Sequence, residues 1–136
     1  MLVYNFEILD EEKVLVKSGI ITYMFDSFKS LRTFDKLRIR KNKGLFYRGS
    51  TYIEKENITK LKKIVFSWKE LFSEASEEFV LTRFFNEKLD EYKRSNYNKN
   101  EVIESLEKLI TLCEKAEKEN KIIRCRKITV RMENNK

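Results

Sequence analysis

Apolar residues recur at every second position near both ends of this 136-residue chain, and at every third or fourth position through much of its middle. That change of period constrains the fold more than any other feature. Period two builds one face of a strand, whereas the longer period builds a stripe along a helix. Leu2, Tyr4, Phe6 and Ile8 alternate with Val3, Asn5 and Glu7, which predicts a first strand. Asp10-Glu11-Glu12 breaks it as a charged turn, and Val14-Leu15-Val16 returns as the second arm of an N-terminal hairpin. From Ser18 onward, Ile21, Met24, Phe25, Phe28 and Leu31 take helical spacing and predict a helix over 19–33. The β-branched run Ile20-Ile21-Thr22 suits a strand as well, so the alternative stays open there.

Residues 36–53 return to strand character. Leu37 and Ile39 alternate with Lys36, Arg38 and Arg40, and Asn42-Lys43-Gly44 supplies turn chemistry. Leu45-Phe46-Tyr47 and Thr51-Tyr52-Ile53 make a further run, interrupted at Arg48-Gly49-Ser50 by a bulge or turn.

Three helices are expected next. One is capped by Asn57 and carries Ile58, Leu61, Ile64, Val65, Trp68, Leu71 and Phe72, with Trp68 as a core anchor. A second is capped by Ser76 and carries Leu81, Phe84, Phe85, Leu89 and Tyr92. In the third, Asn98 with Glu101 resembles a capping box, followed by the stripe Val102, Ile103, Leu106, Leu109, Ile110, Cys113 and Ala116. A last strand over 122–131 closes a single domain of residues 1–132, before a polar tail at 133–136. The fold class is therefore α+β: an antiparallel sheet of about four to five strands packed on one face by three to four helices.

Absences narrow the chemistry. The chain has no His, which removes the commonest general acid–base group, His-containing triads and dyads, and His-based zinc sites. Three glycines are too few for a glycine-rich phosphate cradle. Two cysteines make neither a disulfide framework nor a zinc site, and Cys113 falls in an apolar stripe as a core thiol. Neither a cofactor nor a metal is expected, and the chain reads as a binding protein rather than an enzyme. The N-terminus lacks the basic and long apolar regions of a signal peptide, and no apolar run reaches the roughly 18 residues of a membrane span. A cytoplasmic protein that does not enter the membrane is the expectation. The abundance of Lys, Asn, Ile, Phe and Tyr looks like AT-rich coding DNA, which suggests a low-GC bacterium, a phage or a mobile element.

Charge carries the functional signal. Between Lys29 and Arg48 stand Lys29, Arg32, Lys36, Arg38, Arg40, Lys41, Lys43 and Arg48 against Asp35 alone. Between Lys121 and Arg131 stand Lys121, Arg124, Arg126, Lys127 and Arg131 with no acid. These two segments exceed the whole chain's net charge of +7, so the remainder is net acidic. Alternation places Lys36, Arg38 and Arg40 on one strand face, and Arg124 and Arg126 on another; neighbouring strands would merge them.

Arginine forks bind phosphate bidentately, and Phe46, Tyr47 and Tyr52 nearby could stack on unpaired bases. The expected contact set is Lys36, Arg38, Arg40, Lys41, Lys43, Tyr47, Arg48, Arg124, Arg126, Lys127 and Arg131. The expected partner is nucleic acid or a nucleoprotein complex, as for an inhibitor encoded by a phage or mobile element. An acidic protein surface is the alternative partner for these residues, and an immunity or antitoxin-like factor that meets only protein, through exposed helix faces with their acids, is the alternative function. A small His-free ribonuclease using Arg38, Tyr47, Arg48 and Arg124 is a further one. A basic face that serves only solubility and edge protection is the plainest. The acids Glu70, Glu74, Glu77, Glu78, Glu87, Asp90 and Glu91 have helical spacing and read as solvated faces.

Overall fold

The computed structural model describes residues 1–37, 41–46, 48–86 and 91–130, with the backbone alone at 82–86 and 91–95. The chain runs β1 (Leu2–Ile8), β2 (Lys13–Lys17), α1 (Ser18–Met24), a 3-10 helix (Phe25–Ser30), β3 (Arg32–Phe34), β4 (Lys41–Lys43), β5 (Thr51–Ile53), α2 (Glu56–Phe72), β6 (Glu78–Asn86), β7 (Glu91–Asn98), α3 (Lys99–Glu119) and β8 (Ile123–Thr129). Six strands form one antiparallel sheet in the order β2-β1-β8-β5-β3-β4, and β6 pairs with β7 separately. The class is α+β as the periodicity predicts, with more strands than expected.

The N-terminal hairpin forms where the alternation places it, with Tyr4 opposite Val16 and Phe6 opposite Val14. Helix α3 also starts as expected: the Asn98 Oδ1 accepts from the Glu101 amide at 3.1 Å. It ends at Asn120, whose left-handed conformation at φ 56° satisfies the last carbonyls. Val102, Leu106, Leu109, Leu112, Cys113 and Ala116 are buried along its length. Helix α2 packs beside it, burying Ile58, Leu61, Val65 and Phe72. Tyr4, Phe6, Ile8, Val16, Ile53, Ile123 and Cys125 of the sheet complete the same core. Lys62 ties the two helices with a 2.7 Å ion pair to Glu117, which also accepts from the Thr59 hydroxyl. Those contacts hold the Glu117 carboxyl below its ordinary range.

Five expectations are corrected. The helix capped by Ser76 is instead the hairpin β6–β7, paired from Glu78 opposite Asn98 to Asn86 opposite Glu91. Phe79, Val80, Thr82 and Phe85 are strand formers, and the apolar spacing that mimics a helix there is also met by a strand with a register shift between Thr82 and Phe85. Leu89, Glu87 and Asp90 lie outside the described residues, as do the side chains of Phe84, Phe85, Glu91 and Tyr92.

The helix expected over 19–33 divides. α1 stops at Met24, a 3-10 turn carries Phe28 into the core, and Arg32–Phe34 already belongs to the sheet. Asn57 does not cap α2, which starts at Glu56. Its Oδ1 accepts from the Arg32 amide at 2.9 Å and so fastens β3 to the helix. Leu71, placed on the apolar stripe of α2, is 62% exposed.

The segment 36–53 is rearranged as well. Lys36 and Leu37 form a turn, Lys41–Lys43 is strand rather than turn, and the chain bends at Gly44. Gly44 has φ +82°, and a Cβ there would meet the Phe28 carbonyl oxygen and the Lys29 Cα at 3.3 Å. Its amide donates to the Leu31 carbonyl at 2.8 Å and its carbonyl accepts from the buried Thr33 hydroxyl at 2.7 Å. Leu45 and Phe46 are buried outside any strand, where the Phe46 amide donates to the Thr51 hydroxyl at 2.7 Å.

Both thiols are buried, Cys113 on α3 and Cys125 on β8. Burial pushes the Cys113 thiol up to about 12 and raises Cys125 well above the usual range. Neither is therefore expected to react with iodoacetamide at about pH 8 in the folded protein, while both react in denaturant. Alkylation of the folded protein at the rate of a free thiol would contradict this packing.

Candidate nucleic-acid interface

Directly opposed residues in an antiparallel pair share a face, so the register assigns every strand residue of the large sheet to one side or the other. The side packed by the helices carries Val14, Val16, Tyr4, Phe6, Ile8, Ile123, Cys125, Thr51, Ile53 and Thr33, with Lys127 its one charge among the described strand residues. Lys127 lies over the Tyr4 ring at 5.9 Å. The outer side carries Lys13, Leu15 and Lys17 of β2, then Val3, Asn5 and Glu7 of β1, then Arg124, Arg126 and Ile128 of β8. Tyr52 of β5, Arg32 and Phe34 of β3, and Lys41 and Lys43 of β4 complete it. Among the described strand residues, seven cations thus share this face with one acid, Glu7.

The one acid is already engaged. Glu7 lies directly opposite Arg124, and its Oε2 accepts from the Arg124 Nε at 2.7 Å and from Nη2 as well. The pair is largely shielded, with side-chain exposures of 15% for Glu7 and 21% for Arg124. Tyr52 of β5 stands directly opposite Arg124 on the other side. These contacts, Glu7 first, hold the guanidinium in its charged form above even the usual arginine range.

By contrast, Lys13, Arg32, Lys41, Lys43 and Arg126 are exposed and have no ion-pair partner among the described residues. Arg32 stands directly opposite Lys43, an arrangement that costs rather than contributes stability. Lys17, at the sheet edge, reaches Glu101 of α3 at 3.8 Å. Residues of both faces, Arg32, Thr33, Phe34, Lys41, Asn42 and Lys43, line an open depression of about 590 Å3 at the β3–β4 pair.

Asn5 sits in the middle of this face, between Leu15 of β2 and Arg126 of β8, and is 3% exposed. Its side-chain oxygen is buried with no hydrogen-bond partner among the described residues. A buried orphan acceptor costs roughly 1–3 kcal/mol. Asn5→Leu, close in size and flanked by Leu15, is therefore expected to raise stability by about 1 kcal/mol. An upward shift of the urea midpoint at constant slope reads this out; a lower midpoint would show that the oxygen is satisfied.

Of the contact set expected from sequence, the structure brings Lys41, Lys43, Arg124 and Arg126 onto the outer face. Lys36 and Arg48 lie in exposed turns, and Lys127 is on the helix side. Arg38, Arg40, Tyr47 and Arg131 lie outside the described residues, as does the tail at 133–136. Phe46 is buried rather than presented. The nuclease set thereby reduces, within the described residues, to Arg124, which is paired with Glu7, and Arg48, which is exposed in its turn.

Sequence reasoning missed Lys13, Lys17, Arg32 and Phe34. Alternation in Lys13-Val14-Leu15-Val16-Lys17 could have found the first two, but Arg32 and Phe34 were masked by helical spacing. No three Cys, Asp or Glu side chains among the described residues converge to hold a metal ion. Nor is any described helix long and apolar enough to cross a membrane. Comparison with protein-family models, curated proteins and solved structures finds no match to this chain.

Proposed function

We propose that this protein is a non-catalytic binding protein that lays the outer face of its sheet against nucleic acid, alone or within a nucleoprotein complex. The observation that carries the reading is the one-sided charge: among the described strand residues, seven cations against a single acid, which Arg124 already neutralises. Protection of sheet edges accounts for Lys on β2 and β4, the two edge strands. It does not account for Arg126 on central β8 or Arg32 on β3, both interior to the sheet. An array of cations with opposed Arg32 and Lys43 is relieved when phosphates sit between them. The absence of His in the sequence supports binding over acid–base catalysis. A cytoplasmic setting, and a role as an inhibitor that occupies the nucleic-acid path of another machine, fit the same chemistry.

Titration of labelled RNA and DNA oligonucleotides with the protein at about 50 mM salt tests the reading. Saturable binding supports it, and no binding to either overturns it. In that second case an acidic protein surface becomes the partner that the same face would fit.

A further inference from the structure

The outer face is not uniformly basic, and its exception identifies the kind of nucleic acid. Phe34 and Tyr52 lie directly opposite each other across β3 and β5, on the outer side, and both are half-buried rather than sealed into the core. Cations flank this aromatic pair on both sides. Arg124 is directly across from Tyr52 on β8 and Arg126 lies two residues further along; Lys41 is directly across from Phe34 on β4, with Arg32 and Lys43 beside it. Phe34 also lines the open depression at the β3–β4 pair.

Resting on the reading of this face as a nucleic-acid surface, we infer that it takes a single strand, with bases stacked on Phe34 and Tyr52 and phosphates held by the cations on either side. In a duplex the base faces are already stacked on one another, and only the phosphates would be offered to this face. An unpaired strand offers both, and aromatic rings flanked by Lys and Arg match that pair of surfaces. Stacking has no preference among bases, so the strand would be recognised with little regard to sequence.

The test uses the full chain and three fluorescein-labelled probes of about 12 nucleotides: single-stranded DNA, single-stranded RNA, and the duplex of the DNA sequence. Either single strand, or both, is expected to bind at least about tenfold more tightly than the duplex at equal salt. RNA and DNA arms show which sugar is preferred. Phe34→Leu and Tyr52→Leu keep apolar bulk but remove the ring, and each is expected to weaken single-strand binding by roughly 5- to 100-fold while leaving duplex binding unchanged. Phe34→Tyr and Tyr52→Phe keep the ring and are expected to keep the affinity, which ties the effect to the ring rather than to the hydroxyl or to folding.

Circular dichroism and thermal melting confirm folding of each variant; if a Leu variant unfolds, the Tyr and Phe variants with the duplex comparison still decide. Duplex binding as tight as single-strand binding, or Leu variants that bind like the wild type, would overturn the inference and leave the nucleic-acid reading standing. No binding to any probe would overturn both.

Discussion

Replacing Arg32, Lys41, Lys43 and Arg126 together with glutamate is expected to weaken nucleic-acid binding by more than about 100-fold at low salt and to flatten its salt dependence. Each of the four is exposed on the outer face without an ion-pair partner among the described residues, so each is available to a phosphate. A contact with one phosphate releases condensed counterions and adds about 0.7 to the slope of log affinity against log salt for a single strand. Removing four such contacts should lower that slope by about 3. The fold should survive, because exposed substitutions away from special contacts usually shift stability by within about 0.5 kcal/mol. The directly opposed Arg32 and Lys43 become an opposed Glu pair, so the like-charge cost there is kept rather than increased. Lys60 and Lys63 on α2 serve as the control: both are exposed, and neither is on a strand of the sheet. Reversal of those two is expected to change affinity by no more than about threefold, through net charge alone. Equal losses in the two variants would mean that binding follows total charge and not this face.

The second large effect is on the fold itself. Phe28→Ala is expected to cost about 3–5 kcal/mol. That is a large part of the roughly 5–15 kcal/mol that holds a typical domain together. Phe28 is fully buried, and it sits where the 3-10 helix passes the bend at Gly44. The space a Cβ would need at Gly44 is occupied by the backbone of Phe28 and Lys29, so the two segments are in close register. Loss of the ring opens a cavity beneath the connection that positions β3 and β4, and those strands carry Arg32, Phe34, Lys41 and Lys43. A melting temperature lowered by more than about 10 °C is the expected readout. A loss within about 1 kcal/mol would show that the site collapses without strain and that Phe28 does not anchor the hairpin.

What was legible in the sequence follows from how local each signal is. The N-terminal hairpin and α3 depend on neighbours a few residues apart: Asn98 caps Glu101 three positions on, and Tyr4 meets Val16 across one turn. The hairpin at 78–98 was misread because aromatic and aliphatic residues in 81–92 satisfy a helical stripe as well as two strands with a bulge, and only pairing decides between them. Asn57 was read as a cap because its type suits one. Its actual acceptor role toward Arg32 spans 25 residues and leaves no local trace.

The candidate site suffers most from this. Clustering of cations in two segments was visible, and so was the shared face of Arg124 and Arg126. That β8 inserts between β1 and β5 was not, because strand order is set by packing across the whole chain. Glu7 therefore appeared as an ordinary strand carboxylate, although it binds Arg124 across 117 positions of sequence. The same insertion brings Tyr52 beside Arg124 and puts the aromatic pair among the cations, a juxtaposition that composition and spacing do not contain.

The most direct test of the central claim is the affinity of the wild-type protein for a labelled single-stranded oligonucleotide, measured by fluorescence anisotropy from about 50 to about 500 mM salt. Binding through the exposed cations of the outer face predicts a linear fall of log affinity with log salt, with a slope of about −3 for four to five phosphate contacts. A slope near zero, or no binding at the lowest salt, would contradict the account.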